Sequence, residues 1–255
     1  MGVLKDKNIL VMGIRNKKSI AWGIAKCAYE QGARLILTYE KEKEREAIEE
    51  LVNDFDNHII IKCNVSDDKQ IETLFSEIKK EVNEIHGIAH CIAHANQDDL
   101  KKGFLDTSRE GYFHSMDVTS YSLILVAKYA KDLMMNGGSI VTISYYGASK
   151  VMPGYNLMGA AKAALEANVR YLASEIGPIG IRVNSISSGP IKTISTREIT
   201  DFYVMLETIE KKAPLRRSVT PAEIGDSTVF LLSDLSRGIT GTNLYVDNGY
   251  HIMGI

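Results

Sequence analysis

The stretch YNLMGAAKAALEANVRYLA, residues 155–173, places Tyr155 and Lys162 seven positions apart at the head of an apolar helical pattern. At helical spacing the phenol and the ammonium share one face but stand two turns apart. Taken singly, each has an ordinary structural use: a buried tyrosine with a satisfied hydroxyl, or a lysine that lays its stem along apolar surface. The pair raises the question of which chemistry needs both groups at this separation.

Two further patterns carry potential chemistry. GIRNKKSIAWGIA follows the first apolar run. Gly13 allows a tight exit there, Ser19 is a good helix N-cap, and the amides of Ser19 and Ile20 can face an anion. A capped helix after an ordinary loop accounts for the same residues. His86, His90 and His94 recur every fourth residue. HGIAHCIAH reads as a buried strand, however, in which four residues extend about 13 Å, too far to share one ion. No metal site is expected.

The elements that must position these groups alternate along the chain. Short β-branched runs begin at Asn8, Arg34, His58, Gly87, Ser139, Ile181 and Asn243. Amphipathic helical patterns separate them, including one long stretch over residues 108–135. This alternation predicts right-handed βαβ crossovers in a doubly wound, Rossmann-like α/β fold, with a seven-stranded, mainly parallel sheet and helices on both faces. Ligands of such sheets bind beyond the carboxyl ends of the strands. No repeat or linker divides residues 1–255, so one domain is expected.

Residues 189–217 break the rhythm with a longer connection, a candidate lid. Ile199, Phe202, Leu206 and Ile209 recur at helical spacing there. Such a stripe either covers an apolar substrate or packs on the core, and the pattern does not choose.

The chain of 255 residues has 45% hydrophobic content and a net charge of −2, which gives no reason to expect nucleic acid as a partner. No apolar run approaches the roughly 18 residues that span a bilayer, so no membrane partner is expected. The three cysteines, Cys27, Cys63 and Cys91, form no pairing pattern and suit a reducing, cytoplasmic setting. At the end of the second strand, Glu40 can accept hydrogen bonds from ribose hydroxyls and repel a 2′-phosphate, which favours NADH. Lys41, Lys43 and Arg45 follow it and leave NADPH possible.

The tyrosine–lysine pair in a nucleotide-binding fold resembles the short-chain dehydrogenase/reductase superfamily, whose members ordinarily carry T-G-x3-G-x-G and Y-x3-K. Ser19 and Ala21 stand where the later glycines would be, and the active pair is Y-x6-K. These departures resemble a divergent branch, the bacterial enoyl-acyl carrier protein reductases. The likeness extends through SIAWGIA, CIAHAN, TSREGYFHSMDVTSYSL, YYGASKVMPGYNLMGAAKAALEANVRYLA, IRVNSISSGPIKT and APLRRSVTPAEIGDSTVFLLSDLSRGITG.

The resemblance implies reduction of trans-2-enoyl thioesters in fatty acid biosynthesis, by a homotetramer acting on enoyl-acyl carrier protein. It assigns Tyr145, Tyr155 and Lys162 to catalysis. To the cofactor it assigns Gly13, Ser19, Ile20, Glu40, Asn64, Val65, Ile92, Lys162, Ile191, Lys192, Thr193, Ile194 and Ser195. Asn64 is expected to face an adenine edge, and Ala95 lies beside the substrate. Ser188 stands where many relatives have alanine. In enoyl reduction, hydride enters C3 while charge gathers on the oxygen attached to C1. A tyrosine moved three residues back along a helix shifts by about 4.5 Å, the scale of that displacement. Lys192, Arg197, Lys211, Lys212, Arg216 and Arg217 form either a docking patch for an acidic carrier protein or a solvated face.

Overall fold

The computed structural model describes residues 2–193 and 202–254. Ile194, Ser195, Arg197 and Ile199 lie outside them. Seven strands, β1 (Asn8–Met12), β2 (Arg34–Tyr39), β3 (Ile59–Lys62), β4 (Gly87–His90), β5 (Gly138–Tyr145), β6 (Ile181–Ser188) and β7 (Asn243–Val246), form one sheet in the order β3-β2-β1-β4-β5-β6-β7. Every pairing is parallel. The sheet is therefore parallel throughout, beyond the expected predominance.

Alternation along each strand explains the two covered faces. In β1, Ile9 and Val11 join one core cluster, together with α1 (Ile20–Glu30), α2 (Glu42–Leu51) and α9 (Pro221–Leu232). Leu10 and Met12 join the other, together with α3 (Asp68–Glu81), α6 (Ser122–Ala130) and α7 (Leu157–Ile176). All four of these strand residues are fully buried, and each such side chain contributes about 1.5–3 kcal/mol on leaving water. A strand with both faces buried favours apolar side chains at successive positions, which is why ILVM, residues 9–12, reads as a continuous run.

Several expectations change in detail. Two helices went unexpected: α4 (Gln97–Lys101) and α9. The start of α9 has a readable signal, because Thr220 and Glu223 form a capping box around Pro221 at the first helical position. The long helical stretch divides into α5 (Arg109–Met116), a π-helical turn over Asp117–Tyr121, and α6. Of the histidine-bearing run, only Gly87–His90 is strand, and His94 lies in the loop beyond it. The remaining helix, α8 (Phe202–Lys212), belongs to the candidate lid.

The strand order reverses direction between β1 and β4. Their carboxyl ends, Met12 and His90, are register partners, so the loops leaving them open a crevice at the switch point.

Candidate active site

A cleft of about 670 Å³ occupies that crevice, within the range of small-molecule sites. Gly13 lies at its floor with φ +95, and a Cβ there would stand 2.2 Å from the Cys91 carbonyl oxygen. Only glycine permits both the backbone turn and this approach of the two loops. Ser19 precedes α1, but its hydroxyl turns back to accept hydrogen bonds from the Arg15 and Asn16 amides at 3.1 Å each. The Ser19 amide donates to the Asn16 carbonyl at 3.0 Å. The expectation that this amide faces an anion is therefore corrected, since it is engaged within the loop, whereas the first amides of α1, Ile20 and Ala21, have no intrahelical carbonyl to bond.

Around the cleft stand Glu40, Asn64, Val65, Ile92, Ala95, Ile191 and Thr193. Asn64 is already engaged, since its side-chain oxygen accepts from the Ser66 amide at 3.0 Å. Its amide nitrogen and the oxygen's second lone pair are left for an adenine edge. Glu40 pairs with Lys41 at 3.9 Å on the surface. Beneath them the buried Glu44 accepts from the Glu40 and Lys41 amides at 3.0 and 3.2 Å and meets Arg15 at 3.3 Å. Sequence reasoning passed over Arg15 and Glu44, which line the cleft with Glu40. Lys192 is exposed outside the lining, its ammonium 5.3 Å from the centre of the Tyr203 ring.

At the other end of the cleft, Tyr145 closes β5 and Tyr155 lies two residues before α7. This corrects the helical reading of the tyrosine–lysine spacing. Tyr155 sits in a turn, so rise per residue along a helix does not measure its displacement. Asn156 makes the join at φ +40, an unusual conformation for a residue with a side chain. Its amide donates to the Leu100 and Lys102 carbonyls at 3.0 and 2.8 Å, which anchors the strained residue.

The two tyrosine rings meet edge to face, 4.7 Å between centres. Gly147 makes room for Tyr155, because a Cβ there would stand 2.6 Å from its ring. Burial, and then the neighbouring Tyr145, push the Tyr155 pKa above its ordinary value. Burial does the same for Tyr145, followed by Tyr250. Both phenols are thus neutral donors at physiological pH.

Lys162 is buried at 4% exposure, and its ammonium donates to the Ile143 carbonyl at 2.6 Å. Two of its three donors remain for a ligand in the cleft. Burial lowers its pKa to about 8, against the opposing effects of Cys91 and Glu166. Beneath it, His90 hydrogen-bonds Thr142 at 3.1 Å and Ser122 at 2.9 Å. Burial, then the Lys162 charge, takes His90 down to about 3, so it is a neutral packing residue. Among the described residues no group of three metal-ligating side chains gathers.

The cleft also gathers residues that sequence reasoning did not assign: His94, Leu100, His114, Met158 and Met205. The His94 and His114 rings meet edge to face at 5.0 Å. On α8, Phe202 and Met205 line the cleft, while Ile209 packs with Met152 and Ala213. The apolar stripe therefore serves the cleft at one end and the core at the other. In the basic segment, Arg217 is held bidentately by Glu223 at 2.6 and 2.9 Å.

A dinucleotide fits this donor set: a glycine floor, free helix amides, and a buried ammonium with spare donors at the far end. Residues 13–251 match the family model described as Enoyl-(Acyl carrier protein) reductase. The chain belongs to that family. The enoyl-acyl-carrier-protein reductase (NADH) FabI of Bacillus subtilis strain 168 is 53% identical over 251 residues, covering 98% of this chain and 97% of that protein. The corresponding NADPH protein of Staphylococcus aureus strain MRSA252 is 47% identical, covering 97% and 98%. A Bacillus cereus enoyl-acyl carrier protein reductase, solved with NADP+ and indole naphthyridinone, superposes with a TM-score of 0.98 at 48% identity over the full length of both chains. No helix among the described residues is long and apolar enough to cross a membrane.

Proposed function

We propose that this protein is an NADH-dependent enoyl-(acyl carrier protein) reductase of fatty acid elongation, working in the cytoplasm. The observation that carries the reading is the pairing of a neutral, half-buried phenol, Tyr155, with a buried ammonium, Lys162, in a cleft floored by Gly13. When bound, the reduced nicotinamide supplies hydride to C3 of the enoyl thioester. Gly13 and the first amides of α1 hold the pyrophosphate, Glu40 the adenosine ribose, and Lys162 the nicotinamide ribose.

As the C2–C3 double bond is reduced, negative charge moves to the thioester oxygen. Tyr155 donates its hydroxyl hydrogen bond to that oxygen, and a proton then adds at C2. Lys162 keeps the potential positive while this charge is present. Tyr145 shapes the pocket wall beside the reacting atoms. The segment 189–217 acts as the lid, with Phe202 and Met205 against the acyl chain.

A panel of trans-2-enoyl and 3-oxoacyl thioesters, run with NADH and with NADPH, tests the reading through cofactor absorbance. The enoyl substrates with NADH are expected to turn over fastest. Preferential reduction of the 3-oxo compounds would make the protein a carbonyl reductase, and tight NADH binding without turnover would make it a sensor.

The working form is a homotetramer. Phe113, Tyr121, Ile124 and Tyr171 are exposed on α5, the π turn, α6 and α7, an apolar set that self-association would cover. Light scattering is expected to give a mass four times that of the 28.3 kDa chain; a monomeric mass would overturn this assignment.

A further inference from the structure

Glu166 lies one turn beyond Lys162 on α7 and is half-buried. One of its carboxylate oxygens accepts two hydrogen bonds from different strands. The Ser144 hydroxyl of β5 donates at 2.5 Å, and the Asn243 amide of β7 donates at 3.0 Å. Asn243 is itself held from β6, where the Ser185 hydroxyl donates to its side-chain oxygen at 2.9 Å. A single carboxylate thus ties α7 to the carboxyl end of β5 and the first residue of β7, and through Asn243 to β6. Ser144 sits between Ile143, whose carbonyl holds the lysine, and Tyr145 of the pocket wall.

We propose that Glu166 is a positioning residue for Lys162: it fixes the end of β5 that holds the ammonium and supplies a counter-charge one helical turn away. The proposal rests on the reductase reading of the cleft. A buried ammonium with no ion-pair partner among the described residues needs both services. The Ile143 carbonyl neutralises no charge, and a misplaced β5 end would misaim the lysine's two spare donors. The groups that act on Lys162 are Cys91 and His90 from β4 and the loop after it, and Glu166 from its own helix. Those that act on Glu166 are Ser144 and Asn243 from the sheet and Arg170 and Lys162 from α7. Of all these, Glu166 is the carboxylate.

The test is NADH binding to the full-length protein by fluorescence titration across pH, with thermal unfolding as control. Glu166→Ala loses tie and charge, and its Kd for NADH is expected to rise about tenfold. Glu166→Gln keeps an acceptor oxygen for both strands but no charge. It should recover most of the affinity below neutral pH, while the loss of binding at high pH begins about 0.5 unit lower than in the unsubstituted protein. If both variants bind NADH with unchanged affinity and pH dependence, the proposal is overturned, whether or not their melting temperatures fall. Because binding is read without a thioester, failure of the reductase reading would show separately, as an unsubstituted protein that binds NADH and reduces no enoyl substrate.

Discussion

Tyr155→Phe is expected to lower kcat for enoyl reduction by about 100- to 1000-fold, the cost of removing one pre-placed donor to a developing oxyanion. The ring is retained, so its edge contact with Tyr145 and its packing on Leu100 and Met158 persist. NADH affinity should therefore stay unchanged, because the dinucleotide's proposed contacts lie on Gly13, the start of α1, Glu40 and Lys162. Burial keeps the phenol protonated far above neutrality, so the unsubstituted enzyme should show no loss of rate from Tyr155 ionisation in the ordinary pH range. Steady-state kinetics paired with NADH titration separate these effects. An unchanged kcat would remove Tyr155 from the chemistry.

The second large effect is at Lys162. Hydrogen bonds from a charged group contribute about 1.5–3 kcal/mol each, so Lys162→Met should raise the Kd for NADH by roughly 10- to 100-fold. A pH profile gives an independent reading. The folded-state pKa is lowered to about 8 from an ordinary 10.5. The ammonium is present below that value and lost above it, so NADH affinity in the unsubstituted protein should fall as pH rises through about 8. In the methionine variant this alkaline loss should vanish.

Stability moves the other way. A base whose pKa is lower in the folded state destabilises the fold below that pKa, and the penalty shrinks between pH 8 and 10.5. Methionine carries no charge to bury, so the variant's melting temperature at neutral pH should not drop. Undiminished NADH affinity in Lys162→Met would contradict the ribose role.

The sheet and its two covered faces were legible because strands buried on both sides are rich in consecutive apolar residues, as ILVM within β1 and LIL within β2 are. Tyr155 shows what periodicity hides. The apolar pattern of α7 continues smoothly back toward Tyr155, yet the helix stops at Leu157 because Asn156 is pinned at positive φ by carbonyls some 55 positions earlier in sequence. A local pattern cannot register that anchor, although asparagine is among the few residues with a side chain that visit positive φ. The π turn at Asp117–Tyr121 is equally silent, since it leaves the apolar spacing on either side nearly intact.

The same reasoning separates the cleft residues that were foreseen from those that were not. Gly13 and Glu40 follow strands directly, so their place in the fold fixes their place in the site. Glu44 and Glu166 read as ordinary helix carboxylates, and only the packing of α2 on its preceding turn and of α7 on β5 and β7 gives them partners. Ser19 was read correctly as the residue before α1. The direction of its hydroxyl depends on the loop at Arg15 and Asn16, which no propensity specifies.

The displacement of Tyr155 from Lys162 is therefore set by a pinned turn rather than by helical rise, and the account depends on where that turn presents the phenol. A crystal structure of the ternary complex with oxidised cofactor and an enoyl thioester measures this directly. The account predicts the thioester oxygen within hydrogen-bond distance of the Tyr155 hydroxyl while C3 faces the nicotinamide ring. A thioester oxygen out of reach of that hydroxyl, with no bridging water, would contradict it.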